Sequence, residues 1–275
     1  MRQFSSGTLV SWITFVNGVF FETISTLMVF NLYPLGLKKE NDPLLLADTT
    51  HPKHPVLLIH GIFHNSSAFL KIKQRLKAFG WRQIYSLNLS TYSKGIPDLA
   101  QEISQKIDSI LKDSDFKKVD IVAHSLGGMI ARYYIQCLEG HPKIRHCITL
   151  GTPHQGTLLA KIGLGKSIRD LKKTSLVMKK LNSTPLPKSV KFTSLWSPFD
   201  TLVLPPKNSQ FKNAKSFDHV KNIKVEDAGH AGLLFSKRVF YHIANILDSS
   251  RRYPPILKTK LSLLERLPLA HFIST

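Results

Sequence analysis

Acidic residues are scarce in this chain and cysteine is nearly absent. Its 275 residues include 18 Asp and Glu against 38 Lys and Arg, a net charge of +20. Such a surplus draws a protein towards anionic partners, either nucleic acid or a membrane carrying acidic lipids. No Gly-rich Walker loop, zinc-finger spacing or RNP-like string accompanies the charge, so nucleic acid is not an expected partner. The two cysteines, Cys137 and Cys147, are too few for a disulfide framework and belong to no Cys/His cluster with zinc spacing. They read as small core residues, with a single bridge between them left open. Internal repeats and long low-complexity runs are also lacking, which excludes a repeat architecture. Hydrophobic residues are plentiful at 43%, enough for a sizeable core and against global disorder. The length suits one domain of ordinary size with extensions.

The first extension is apolar. Thr8 to Leu32 contains fifteen strongly apolar residues and one charge, Glu22. The apolar residues favour bilayer insertion by roughly 5–9 kcal/mol, and a mid-segment carboxylate costs about 2.5–3.5 kcal/mol of that. No small-x-small cleavage site follows, so residues 1–36 are expected to be a retained membrane anchor. A helix packed on the body is the rival reading, and a cleaved leader would make the protein secreted. Ser11, Thr14, Gly18, Glu22 and Ser25 recur at helical steps and form a weakly polar stripe that can face the body or another helix. Arg2 before the segment and Lys38 and Lys39 after it lean only slightly towards a cytoplasmic domain, so the side is open.

Residues 37–54 read as a polar linker. Beyond them, strand and helix patterns alternate. Apolar runs at Pro55–Ile59, Ile84–Leu89, Val119–Ala123, Ile144–Leu150 and Val220–Val225 predict strands, as does the segment from Phe192. Helices are expected over residues 67–79, Leu99–Leu111 and Leu126–Leu138. This alternation predicts an α/β fold with a mostly parallel sheet covered by helices.

The chemical motifs sit at strand ends. Ala123-His124-Ser125-Leu126-Gly127-Gly128 joins a strand to a helix, the context of a nucleophile elbow, in which a tight turn projects a serine hydroxyl. Ala123 replaces the usual first glycine. The alternative is an ordinary Ser N-cap. His60-Gly61-Ile62-Phe63 ends the first strand, where a second oxyanion donor belongs. Gly61 allows the turn, the amides of Ile62 and Leu126 are the candidate donors, and His60 reads as structural. Asp200 ends a strand-like segment, and His230 lies between Gly229 and Gly232 after the last strand. Asp170 and Asp227 look like surface charges, Asp218 is a further downstream carboxylate, and His219 and His242 are bland alternatives to His230.

Together these segments resemble the bacterial triacylglycerol lipases of the α/β-hydrolase superfamily, especially the small Bacillus type. The likeness lies in KKVDIVAHSLGGMIARYYIQCL (Lys117–Leu138), SPFDTLV (Ser197–Val203) and GHAGLLFS (Gly229–Ser236). The loop Gly151–Thr157 is similar to one in larger bacterial lipases. The resemblance covers roughly residues 55–248. It implies Ser125 as nucleophile, Asp200 as acid and His230 as base, with the Ile62 and Leu126 amides as oxyanion hole and His60, Gly61, His124 and Gly127 in support. It implies no metal or cofactor, and a lipid or ester substrate.

Two regions depart from that pattern. Gly156 to Lys191 carries nine Lys/Arg and one Asp among leucines. A basic amphipathic lid or cap over about residues 156–190 suits an anionic lipid interface, and a lid helix packed on the core is the plainer alternative. Residues 249–275 form another basic, Leu-rich stretch. A phospholipase, thioesterase or acyltransferase would use the same triad. From another class, a binding protein on a dead hydrolase scaffold would show a missing triad member, and all three are present; a catalytically silent membrane-bound scaffold that recruits partners through its basic face would bind anionic vesicles equally well with Ser125 replaced.

Overall fold

A computed structural model describes residues 21–37 and 53–248. The helical residues 21–32 are denoted α1. There follow β1 (Val56–Ile59), α2 (Leu70–Ala78), β2 (Ile84–Leu87), α3 (Ile96–Lys112), β3 (Val119–His124), α4 (Leu126–Cys137) and β4 (Ile144–Leu150). The remainder comprises α5 (Lys166–Asp170), α6 (Leu176–Ser183), β5 (Lys191–Trp196), β6 (Val220–Lys224) and α7 (Lys237–Leu247). The expected strands and helices form, with ends shifted by a few residues.

All six strands are parallel, in the order β2-β1-β3-β4-β5-β6. Strand side chains alternate between two helical layers. Leu57 and Ile59 join Ile121 and Ala123 under α3, α4 and α6. Val56 and Leu58 join Val122 and Ile148 under α2 and α7. A sheet buried on both faces needs the continuous apolar runs seen in the sequence. The chain order reverses between β1 and β3, and that reversal opens a crevice at the carboxyl ends of the strands. Ile59 pairs with Ala123 there, so the loop after β1 and the turn after β3 emerge side by side.

Residues 21–37 pack on the body. Phe21 and Ser25 are buried, and Met28, Val29 and Leu32 lie against the α2/α7 layer. Asn65 Nδ2 donates to Tyr33 O at 2.9 Å and Asn88 Nδ2 to Gly36 O at 2.8 Å. Within the stripe noted above, Glu22 and Ser25 face the body. Ser11, Thr14 and Gly18 lie outside the described residues, as do most of the linker and the tail 249–275. No helix among the described residues is long and apolar enough to cross a membrane.

The basic insertion does two things. Leu171, Val177, Met178 and Leu181 sink into the core beside α4, while Ile162, Leu164 and Leu176 remain 81%, 73% and 83% exposed. Asp170 is more than a surface charge: its Oδ2 accepts from Ile96 N at 2.8 Å and so caps α3. Asp227 pairs with Arg238 at 3.6 Å, as a surface charge would. Both cysteines are free thiols. Burial pushes the Cys147 thiol up to about 12.

Candidate active site

Ser125 occupies the turn between β3 and α4 with φ 54° and ψ −125°. A non-glycine residue rarely adopts this conformation, which costs of order 1–3 kcal/mol and persists only where its surroundings enforce it. Here Ser125 N donates to Leu150 O at 2.9 Å, Gly128 N to Ser125 O at 3.1 Å and Thr152 Oγ1 to Ser125 O at 2.9 Å. The two glycines after the serine are required by proximity. A Cβ on Gly127 would lie 2.4 Å from Ile59 O, and one on Gly128 would lie 2.1 Å from Thr152 Oγ1. The Gly151–Thr157 loop thus braces the elbow. His154 holds that loop in turn, between Thr149 Oγ1 at 2.9 Å and the buried guanidinium of Arg132, which donates to His154 O at 3.1 Å.

Asp200 and His230 meet at the same edge of the sheet. His230 Nδ1 and Asp200 Oδ2 are 2.8 Å apart, and both side chains are buried. Asp200 Oδ1 accepts from Leu202 N at 2.9 Å and Val203 N at 2.8 Å, which fixes the carboxylate for the imidazole. Burial disfavours a charged His230 ring, but Asp200, aided by Glu22, outweighs it and raises the pKa above the ordinary 6.5. With Nδ1 engaged by Asp200, Nε2 is the nitrogen left for a partner.

Ser125 and His230 line one pocket of about 320 Å³, with Gly61, Ile62 and His124 in the same wall. Val29, Phe30, Phe63, Leu202 and Leu234 make much of the remaining wall apolar. Ile62 follows β1 and Leu126 opens α4, so both backbone amides lie beside the serine turn. Phe63 N is taken by Thr91 Oγ1 at 3.3 Å. His60 is buried away from this chemistry: Leu89 N donates to its Nε2 at 2.8 Å, and burial lowers its pKa to about 4. His124 Nε2 lies 3.1 Å from His230 O, and its burial keeps the ring neutral. His219 and His242 lie near β6 and on α7, away from this pocket, and Asp218 lies beside His219. Among the described residues no group of three His, Cys, Asp or Glu side chains could hold a metal ion.

Glu22, Thr26, Val29 and Phe30 of α1 line the pocket, and Glu22 does more than line it. Glu22 Oε1 accepts from Ala231 N at 2.8 Å, and Glu22 Oε2 from Gly232 N at 2.9 Å. These are the two amides that follow His230. The apolar run around Glu22 gave no sign of that placement, although the stripe it shares with Ser25 marked the face that packs.

Comparison with known proteins agrees with this fold. Residues 55–181 match the family model of palmitoyl protein thioesterase. A lysosomal thioesterase of Xenopus laevis is 29% identical over 117 residues, which are 41% of this chain and 40% of that protein. A triacylglycerol lipase of Burkholderia plantarii is 27% identical over 135 residues, 46% of this chain and 37% of its own length. The chain therefore spans less than half the length of these relatives. Among solved structures, the mature Bacillus licheniformis lipase aligns with a TM-score of 0.60 at 18% identity, over 72% of this chain and 94% of that one. Lipase B of Aspergillus fumigatus aligns with a TM-score of 0.65 at 15% identity, over 78% and 56%.

Proposed function

We propose that this α/β-hydrolase domain is a serine carboxylic-ester hydrolase, a lipase that cleaves acyl esters of lipids through an acyl-enzyme. The observation that carries the reading is His230, paired with Asp200, sharing a pocket with a serine held at an enforced elbow. Ser125 Oγ attacks the ester carbonyl carbon while His230 Nε2 takes its proton. The resulting imidazolium is stabilised by Asp200. The Ile62 and Leu126 amides donate to the oxyanion, a role whose loss typically costs about 10²–10³ in rate. His230 returns the proton to the leaving alcohol, and water then repeats the sequence to release the fatty acid.

The apolar wall of Val29, Phe30, Phe63, Leu202 and Leu234 suits an acyl chain. An anionic lipid surface suits the mouth of the pocket. Phe63 lies 5.8 Å from the Tyr92 ring, and the insertion meets Tyr92 at Gly165. Exposed Ile162 and Leu164 stand there among exposed Lys161, Lys166 and Arg169. A thioesterase is the second reading, favoured by the palmitoyl protein thioesterase match. Its chemistry differs only in the leaving group.

The test is hydrolysis of a p-nitrophenyl ester series and of matched acyl thioesters by wild type and Ser125→Ala, with and without anionic vesicles. The proposal expects long-chain oxygen esters to turn over faster on vesicles. It expects Ser125→Ala to lower kcat by about 10⁴-fold or more in a folded protein. A preference for thioesters selects the second reading. Full activity in Ser125→Ala overturns both.

A further inference from the structure

We infer that Glu22 is a positioning residue for His230: its carboxylate clamps the turn behind the imidazole and places a second negative charge beside the ring. The inference rests on the hydrolase reading above and extends its machinery to α1, outside the sheet and its covering helices.

A helix that merely packs on the body has no need of a carboxylate at its buried face, because burying one costs free energy unless hydrogen bonds offset it. Glu22 meets that condition with two backbone N–H groups from consecutive residues, Ala231 and Gly232. The loop is shaped to admit it. A Cβ on Gly229 would lie 2.5 Å from Glu22 Oε2, and one on Gly232 would lie 2.9 Å from the Phe21 ring. The glycines on either side of His230 thus leave room for α1. Glu22 also lines the pocket that holds Ser125 and His230. The turn is fixed from both sides, since His124 Nε2 engages His230 O while Glu22 engages the next two amides.

The ring is faced by few titratable groups. Asp200 reaches it from the loop after β5, Glu22 from α1, and His124 from the end of β3. His60 and His64, in the loop after β1, stand behind His124. Burial lowers the pKa of all three histidines, so above pH 6.5 the charges acting on His230 are Asp200 and Glu22. Burial also raises the pKa of Glu22 itself, against the opposing effect of its two amide bonds. Both anions favour the imidazolium that forms when Ser125 loses its proton.

The test uses the full chain and compares wild type, Glu22→Gln and Glu22→Asp by two readouts. These are the pH profile of kcat/KM on a p-nitrophenyl ester and an NMR titration of the His230 ring. Removing the charge in Glu22→Gln should lower both the acid limb and the ring midpoint by roughly one pH unit. Loosening the turn should lower kcat about tenfold with little change in KM. Glu22→Asp should return the midpoint towards the wild-type value. Should Glu22→Gln fail to fold, Gly229→Ala displaces the carboxylate by its added methyl, and the midpoint must fall there too. An unchanged midpoint in a folded variant overturns the inference. If wild type cleaves no ester, the hydrolase reading fails by itself, and the ring titration still decides whether Glu22 acts on His230.

Discussion

β3 is associated with a buried carboxylate–imidazole pair at each end. Near its amino end, Asp120 Oδ1 lies 3.0 Å from His146 Nδ1. Beyond its carboxyl end, Asp200 and His230 lie 2.8 Å apart beside Ser125. The two pairs look alike as lists of residues, yet their surroundings differ. Asp120 also receives Arg145, which ties the strand to the last turn of α7 through Leu247 O at 2.7 Å. Both Asp120 oxygens there are engaged by structural partners, Oδ1 by His146 and Arg145 and Oδ2 by Arg145. At the other end the imidazole keeps one nitrogen uncommitted and opens on a pocket. A carboxylate–histidine pair becomes a candidate site through what its second nitrogen faces.

Exchanging the acids is the sharpest way to break that comparison. Asp200→Asn should reduce kcat by about 10⁴-fold, because the amide favours the wrong imidazole tautomer. Unfolding free energy should change little beside that loss. Asp120→Ala should do the reverse: it leaves Arg145 and His146 without their partner and costs about 3 kcal/mol, with kcat of the folded fraction maintained. Denaturant titrations beside single-ester kinetics separate the two. Equal losses in both measurements would mean that the ends of the sheet are not independent.

Acidification should separate them next. His230 must be neutral to accept a proton, and its pKa is raised above 6.5, so kcat/KM should fall as the pH drops through a value above 6.5. Asp120 has the opposite sign. Burial pushes its pKa up, but hydrogen bonds from His146 and Arg145 bring it below the ordinary 3.8. Its stabilisation is full above pH 3.8 and is lost as pH falls through the folded pKa. The difference in unfolding free energy between wild type and Asp120→Ala should therefore hold down to about pH 3.8 and shrink below it. His60 adds a separate decline: kept neutral by burial down to about 4, it stabilises fully only above pH 6.5. The smallest effect belongs to the insertion. Ile162→Asn should reduce stimulation by anionic vesicles roughly threefold, and unchanged stimulation would remove Ile162 from the lipid-facing surface.

Much of the fold was legible because each sheet strand is buried on both faces and so reads as a short apolar run. The serine, the histidine and the carboxylate paired with it were legible for a local reason. Ser125, Asp200 and His230 each sit at a strand end marked by glycine, proline or both, where the backbone must turn sharply. Glu22 lacked any such mark. Its partners are amides 209 and 210 positions away, and its own segment offered only an insertion cost and a weakly polar stripe, which pointed to a face and not to a partner. Asp170 was misread for the same reason, since the α3 amide that it caps lies 74 positions earlier. The insertion mixes lysines with leucines along its length, and periodicity alone did not show that Val177, Met178 and Leu181 turn inward while Leu176 turns out.

The backbone conformation of Ser125 has one more consequence. The local bond from Gly128 N is joined by two distant restraints, from Leu150 at the end of β4 and from Thr152 in the loop beyond. A chain in which β3 and β4 have not yet joined would let the serine relax, and its hydroxyl would lose both aim and partner. Covalent capture by a serine-directed reagent would therefore count only molecules whose sheet is complete, making the nucleophile a gauge of its own assembly.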